Sequence, residues 1–246
     1  MPVFFVTADQ IRNGEATITG PLLDHLRSSL RIQVGEQIWI GDEQRRRYLV
    51  RVSHLDRRAL SGSVLEEQTG PSPGHPPITI GQALLKGERM DWVIQKATEL
   101  GAAALIPLIA NRSIVRPRSA RVRPQQGRWQ RIAREAAQQA ERWEIPTVSA
   151  VCEAVGFFTS QDRADCRLIL RERGEGQNLA SIALPPRPEQ TIVMAFGPEG
   201  GWSQEEVARA LECGFVPITL GTRILRAETA TLAALSILQN RLGELG

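Results

Sequence analysis

The chain has 246 residues, 42% hydrophobic and 23% charged, which is enough for one large or two small domains around a proper core. No apolar run approaches the roughly 20 residues of a membrane span, and the opening MPVFFVTADQ lacks both a basic start and a long apolar stretch, so neither a transmembrane segment nor a signal peptide is expected. Net charge is only +3, but 28 of the 30 basic residues are arginine. Three scattered cysteines (Cys152, Cys166 and Cys213), with no CxxC pair, predict a reducing, cytoplasmic location and no metal site.

In chain order, ATITG, EQIWIGD and RRYLVRVSHL alternate apolar and polar residues as half-buried strands do, with VGEQ and GDEQ as turns. Residues 24–30, DHLRSSL, read as a short helix, and the whole region ahead of residue 68 as a small barrel. Residues 68–77, QTGPSPGHPP, hold four prolines and two glycines and read as a linker, so the expected domains are 1–70 and 71–246.

After the linker, strand and helix alternate. Strands are expected at 78–85, 104–109, 167–170, 191–196 and 216–220. Helices are expected at 88–100, closed by Gly101, and at 125–143, opened by Pro124. A third starts at Ser203 with a capping box to Glu206 and ends at Gly214. The last, 227–242, turns Leu232, Leu235 and Leu238 or Ile237 inward. This alternation predicts an α/β domain with a parallel sheet. Trp92, Trp129 and Trp143 fall on helices and read as packing or dimer contacts before base-stacking platforms, and the histidines as surface or turn residues.

Between residues 111 and 134 stand eight arginines (Arg112, Arg116, Arg118, Arg121, Arg123, Arg128, Arg131 and Arg134) and no acid. A solvated face and a polyanion site both fit such a run. Like charges without a counter-ion repel, and arginine forks match phosphate, which favours a nucleic acid.

Two loops carry the chemistry. GPEGG at 197–201 follows one strand and precedes a helix; LGTRILRAETA at 220–230 does the same. GPEGG lacks the GK[ST] ending of a Walker loop and is not GxGxxG. It reads equally as a tight strand-to-helix turn and as backbone brought close to a ligand. Glu199 needs a partner there, and Arg226 or Arg223 is the expected one. In the second loop, Ile224 and Leu225 between arginines suit the lining of a flat aromatic pocket such as adenine. Glu228 and Thr229 fit either a ligand contact or simple capping of the last helix.

GPEGGWSQEE followed by LGTRILRAETA resembles the RsmE family of 16S ribosomal RNA uridine-N3 methyltransferases, in the SPOUT superfamily. The resemblance also covers KGERMDWVIQKATELG, PLIANRSIV, RWQRIAREAAQQAERWEIP, FFV at 4–6 and HLRSSLRIQVGEQI at 25–38. It implies a PUA-like β-barrel in front of a SPOUT α/β domain with a C-terminal trefoil knot, S-adenosylmethionine as cofactor, and a homodimer. The cofactor positions it implies are Leu170, Gly197, Glu199, Gly200, Gly201, Leu220, Gly221, Ile224, Leu225, Arg226, Thr229 and Ala230. A third knot loop would follow Leu170, in RERGEGQN.

The implied reaction is methyl transfer to N3 of a uridine near the decoding site of the small ribosomal subunit. Uracil N3 must lose a proton before it attacks, and Arg142 or Arg226 would stabilise the resulting imide anion. Glu228 is the candidate base, or it orients cofactor or uracil. Arg27, Arg31, Arg112, Arg116, Arg118, Arg121 and Arg123 are the candidate RNA contacts, gripping backbone and not reading sequence. Departures from the family pattern cluster at these RNA positions: Val3, Asp24-His25, Gln138-Gln139 and Glu144. Two alternatives remain at this point, a SPOUT methyltransferase acting on another ribosomal or transfer RNA position, and a non-catalytic ribosome-assembly protein.

Overall fold

The structure is a computed structural model describing residues 3–116, 119–172 and 176–246, side chains of 119–121 excepted. It contains two compact units: Met1–Ser72 with Ala137–Ile145, and Pro73–Ala136 with Pro146–Gly246.

The first unit holds β1 (Val3–Phe5), β2 (Ile11–Arg12), β3 (Glu15–Ile18), α1 (Pro21–Ser28), β4 (Gln37–Gly41), β5 (Arg46–Leu55) and β6 (Leu60–Thr69). They form one mixed sheet in the order β1-β4-β5-β6-β3-β2, in which β1 runs parallel to β4 and every other pair is antiparallel. Alternation puts Ile38, Ile40, Val50 and Val52 on the inner face. Phe4 from β1 and Ile18 from β3 share that core with Leu26 and Leu60, so the sheet wraps one core as a small barrel does.

At its rim, buried Asp42 accepts from Arg46 Nε at 3.0 Å and from Tyr48 Oη at 3.1 Å. The segment 137–145 packs on the same unit. The Arg47 guanidinium lies 3.8 Å from the Trp143 ring centroid, Arg47 donates to the Glu141 carbonyl, and Arg45 Nη1 pairs with Glu144 Oε2 at 3.1 Å. Gly70 makes room for that indole, since a Cβ there would come within 2.9 Å of Trp143.

The second unit follows the predicted alternation: β7 (Ile78–Ala83), α2 (Arg89–Glu99), β8 (Ala104–Ile109), α3 (Ser119–Gln139), β9 (Thr147–Val148), β10 (Cys152–Glu153), α4 (Ala154–Ser160), β11 (Cys166–Leu170), β12 (Gln177–Asn178), β13 (Ile192–Phe196), α5 (Gln204–Glu212), β14 (Val216–Thr219) and α6 (Ala227–Arg241). Its sheet is wholly parallel, in the order β10-β8-β7-β13-β11-β14-β12, with β9 on β8. All five residues of β13 are buried, as a strand covered on both faces requires.

Several boundaries differ from expectation, each for a local reason. The long helix α3 starts six residues before the predicted 125 and carries Pro124 inside it. It ends at Gln139, four residues before the predicted 143, because Glu141 adopts φ +50° and the chain turns there. Helix α4 was not foreseen; Gly156 weakens its helical pattern, yet Phe157 and Phe158 bury fully against the sheet. Gln68 and Thr69 extend β6 into the expected linker. In α6, Leu235 and Leu238 are buried as expected, while Leu232 and Ile237 are only half-buried and Ala230, Thr231 and Ala234 fill the close contact. Trp129 is buried and Trp92 is 43% exposed. No helix among the described residues is long and apolar enough to cross a membrane.

Candidate active site

Strand order creates the site. β11 lies between β13 and β14, pairing Ile169 with Ala195 and Leu170 with Ile218. Three strands therefore end side by side at the carboxyl edge, where open parallel sheets bind ligands. The segments that follow β11 and β13, with the first turn of α6, border a cavity of about 220 Å³. Its wall takes Leu170, Arg171 and Glu172 after β11, and Phe196, Gly197, Gly200, Gly201 and Trp202 after β13. Ser203, Gln204 and Val207 come from the start of α5, Ala227 and Ala230 from α6, and Arg112 from the loop after β8.

GPEGG serves both readings left open by the sequence. It is a tight turn, in which Gly201 at φ +67° donates its N–H to the Pro198 carbonyl at 2.8 Å. It is also a close approach: a Cβ on Gly197 would stand 3.3 Å from Trp202, and one on Gly200 3.2 Å from Arg112 Cβ. The predicted capping box is present. Ser203 Oγ accepts from the Glu206 N–H at 3.2 Å, and Glu206 Oε2 accepts from the Ser203 N–H at 2.8 Å. Glu206 Oε1 accepts in turn from the Asn111 N–H at 2.8 Å. A local cap thus anchors the loop after β8, and Arg112, next in sequence, donates to the Gly200 carbonyl at 3.1 Å.

The expected partner of Glu199 is corrected. Neither Arg223 nor Arg226 reaches it. Glu199 Oε1 accepts from the Lys86 N–H at 3.1 Å and from Arg89 Nη1 at 3.3 Å. The same guanidinium places Nε 3.7 Å from Glu228 Oε1. Arg223 and Arg226 are exposed, because Gly221 at φ +112° carries the loop outward before α6 begins. Three buried polar atoms here have no partner among the described residues: Glu199 Oε2, Glu228 Oε2 and the Trp202 Nε1 donor.

Of the residues singled out from the sequence, Leu170, Gly197, Gly200, Gly201, Ala230 and Arg112 line the cavity. Glu199 and Glu228 stand behind it on Arg89. Leu220, Gly221, Ile224, Leu225, Arg226 and Thr229 form or flank the second loop without lining the cavity, and Ile224 is 58% exposed. Arg142 belongs to the first unit, where burial pushes its guanidinium down, Glu144 opposes the shift and Arg45 adds to it. Arg27 is half-buried and pairs loosely with Asp24 at 3.9 Å; Arg31, Arg116 and Arg123 are exposed. Arg118 and the Arg121 side chain lie outside the described residues, as do 173–175 of RERGEGQN.

The arginine belt is not without a counter-ion. Asp91 on α2 accepts from Arg128 Nε at 3.1 Å and from Trp129 Nε1 at 3.0 Å. Sequence reasoning missed Arg89, Phe196 and Trp202, and named Arg171 and Glu172 only as part of the segment RERGEGQN. Trp202 sat inside the quoted motif; nothing in periodicity marks Arg89, since its role depends on two acids more than a hundred residues away. No group of three His, Cys, Asp or Glu among the described residues could hold a metal.

A parallel sheet whose carboxyl edge carries glycine loops around a cavity defines a ligand-binding α/β domain, and the RNA methyltransferase domain family matches residues 73–239. Relatives span nearly the whole chain. Ribosomal RNA small subunit methyltransferase E of Bacillus subtilis is 33% identical over 94% of this chain and 92% of its own length. The protein of that name in Synechocystis is 34% identical over 94% and 75%. A crystal structure of ribosomal RNA small subunit methyltransferase E from Neisseria gonorrhoeae, bound to S-adenosyl methionine, has a TM-score of 0.84 at 31% identity, covering 98% of both chains. A putative methyltransferase from Legionella pneumophila, in complex with the same cofactor, has a TM-score of 0.88 at 26% identity, covering 97% of both. The chain belongs to the RNA methyltransferase domain family, in its ribosomal RNA small subunit methyltransferase E branch.

Proposed function

We propose that this protein transfers the methyl group of S-adenosylmethionine to N3 of a uridine in 16S ribosomal RNA, in the decoding region of the small subunit. The observation that carries the reading is the cavity at the carboxyl edge, lined by the ends of β11 and β13, the GPEGG loop and the first turn of α6. The residues suit the donor. Gly197 and Gly200 are places where a Cβ would crowd Trp202 and Arg112, so backbone forms part of the wall, and Trp202 Nε1, Glu199 Oε2 and Glu228 Oε2 are buried polar atoms without partners among the described residues. The cofactor-bound relatives from Neisseria and Legionella support the same assignment.

When bound, the donor supplies an electrophilic methyl group; the protein's part is to place and deprotonate the uracil. Glu228, on the first turn of α6, takes the N3 proton or holds the base that loses it. Arg226, exposed and without an ion-pair partner among the described residues, meets the negative charge that spreads onto the uracil oxygens, with Arg142 as the second candidate for that role. The uridine must be unstacked to enter. Arg27, Arg31, Arg116 and Arg123 grip phosphates, Arg118 and Arg121 join them, and Arg112 stands between RNA and cavity. The reading also carries a C-terminal trefoil knot, a homodimer in which a second copy covers exposed Trp92, action on the ribosomal subunit, and a cytoplasmic location.

Two measurements on the full chain test the proposal. Calorimetry with S-adenosylmethionine should show binding; its absence together with tight RNA binding would make the protein a non-catalytic module. Methyl transfer to small-subunit RNA should fall in Arg142→Ala and Arg226→Ala, and a wild-type rate in either removes that arginine from its role.

A further inference from the structure

We propose that Arg89 is the positioning residue of this site: one guanidinium, at the head of α2, that ties the carboxylates of both cofactor loops and holds the loops at a common spacing. The inference rests on the reading that those loops hold the methyl donor. Glu199 comes from the loop after β13 and Glu228 from the first turn of α6, elements that meet only in the folded sheet. Arg89 reaches Glu199 Oε1 through Nη1 at 3.3 Å and Glu228 Oε1 through Nε at 3.7 Å. Among the described residues no other cation reaches either acid.

The electrostatics make this arrangement fragile in a useful way. Both second oxygens are buried and have no hydrogen-bond partner among the described residues, so each carboxylate leans on Arg89 for its ion pair. Without Arg89, two like charges would face each other, and repulsion would spread the loops. Glu199 would keep the Lys86 N–H; Glu228 would keep no ion-pair partner among the described residues. Arg89 does not line the cavity, so it acts through the loops and not on the reacting atoms. Arginine suits the task because its rigid fork presents two donors at fixed spacing, whereas lysine is a point charge that serves one carboxylate at a time.

The test uses the full-length enzyme, S-adenosylmethionine as probe, and calorimetry beside turnover. Arg89→Met is expected to raise the donor Kd and KM by about tenfold or more, where tenfold corresponds to about 1.4 kcal/mol. Arg89→Lys should recover part of the loss. Glu199→Gln or Glu228→Gln should each cost less in the Arg89→Met background than in the wild type, the non-additivity of groups that share a contact. A merely structural role would lower the melting temperature and the active fraction, leave the donor Kd of folded protein unmoved and give additive losses; that pattern overturns the inference. If Arg89→Met fails to fold, Arg89→Lys decides alone: a raised donor Kd supports the inference and a wild-type value overturns it. Wild-type protein that binds no donor overturns the functional reading and this inference with it; wild-type protein that binds donor no better than folded Arg89→Met overturns this inference alone.

Discussion

Gly200 offers the cleanest separation of cofactor binding from folding. It is exposed in a loop, and its φ lies outside the left-handed region, so a larger residue meets no backbone strain there. A Cβ would stand 3.2 Å from Arg112 Cβ, 3.5 Å from the Arg112 carbonyl oxygen and 3.8 Å from Arg112 Cδ. Alanine asks Arg112 to give by a few tenths of an ångström. Valine adds two more carbons to that Cβ, and Arg112 must leave the Gly200 carbonyl it bonds at 3.1 Å or the added methyls must project into the cavity. Overpacking of this kind costs about 1–3 kcal/mol. Because the loop is on the surface, the cost should fall on the bound state, weakening donor binding about tenfold to a hundredfold at about 1.4 kcal/mol per factor of ten. Calorimetry with S-adenosylmethionine, run beside thermal denaturation, should show Gly200→Val weakened in affinity with its melting temperature near wild type, and Gly200→Ala less affected. Gly200→Val that binds donor as the wild type does refutes the assignment of this loop to the cofactor.

Other expectations follow from packing and charge. Gly81 on β7 faces Phe157 of α4, and a Cβ there would lie 2.4 Å from the ring, so Gly81→Ala should lose about 1–3 kcal/mol in denaturant unfolding; an unchanged midpoint contradicts the packing described. Burial first, and then the Asp42 carboxylate, push the Tyr48 hydroxyl up to about 12, against about 10 for an unfolded tyrosine. The folded state thus holds this proton longer: the contribution is full below pH 10 and lost as pH rises from 10 to 12, about 3 kcal/mol for two units at 1.36 kcal/mol each. Unfolding curves across that range should show the decline in wild type and a smaller one in Tyr48→Phe. Arg123 is exposed while Arg128 is committed to Asp91, so Arg123→Met should reduce the salt dependence of RNA binding by about one phosphate contact, and Arg128→Met by less; equal slopes would show that both grip RNA.

Much of the second unit was legible because its signals are local. Apolar runs marked β8 and β13, Gly101 and Gly214 marked helix ends, and the Ser203–Glu206 spacing marked the cap that the structure contains. The early end of α3 was not legible: Glu141 leaves the helix where the chain packs Trp143 against Arg47, a contact with residues remote in sequence. The site divides in the same way. Glycine loops after strands announced a backbone-lined pocket, but the strand order that seats β11 between β13 and β14 is a tertiary choice, and so is the wall it makes of Leu170, Arg171 and Glu172. The partner of Glu199 was misplaced for the same reason. Arg226 is near it in the sequence motif, whereas Arg89 is near it in space.

The central claim is methylation of one uridine in small-subunit ribosomal RNA, and its most direct test is mass mapping of that RNA from cells with and without this protein. The account predicts that one N3-methyluridine near the decoding site disappears when the protein is absent, and returns when purified protein and S-adenosylmethionine are added to the subunit. An unchanged modification map, or a lost methyl group at another position or on transfer RNA, would contradict it.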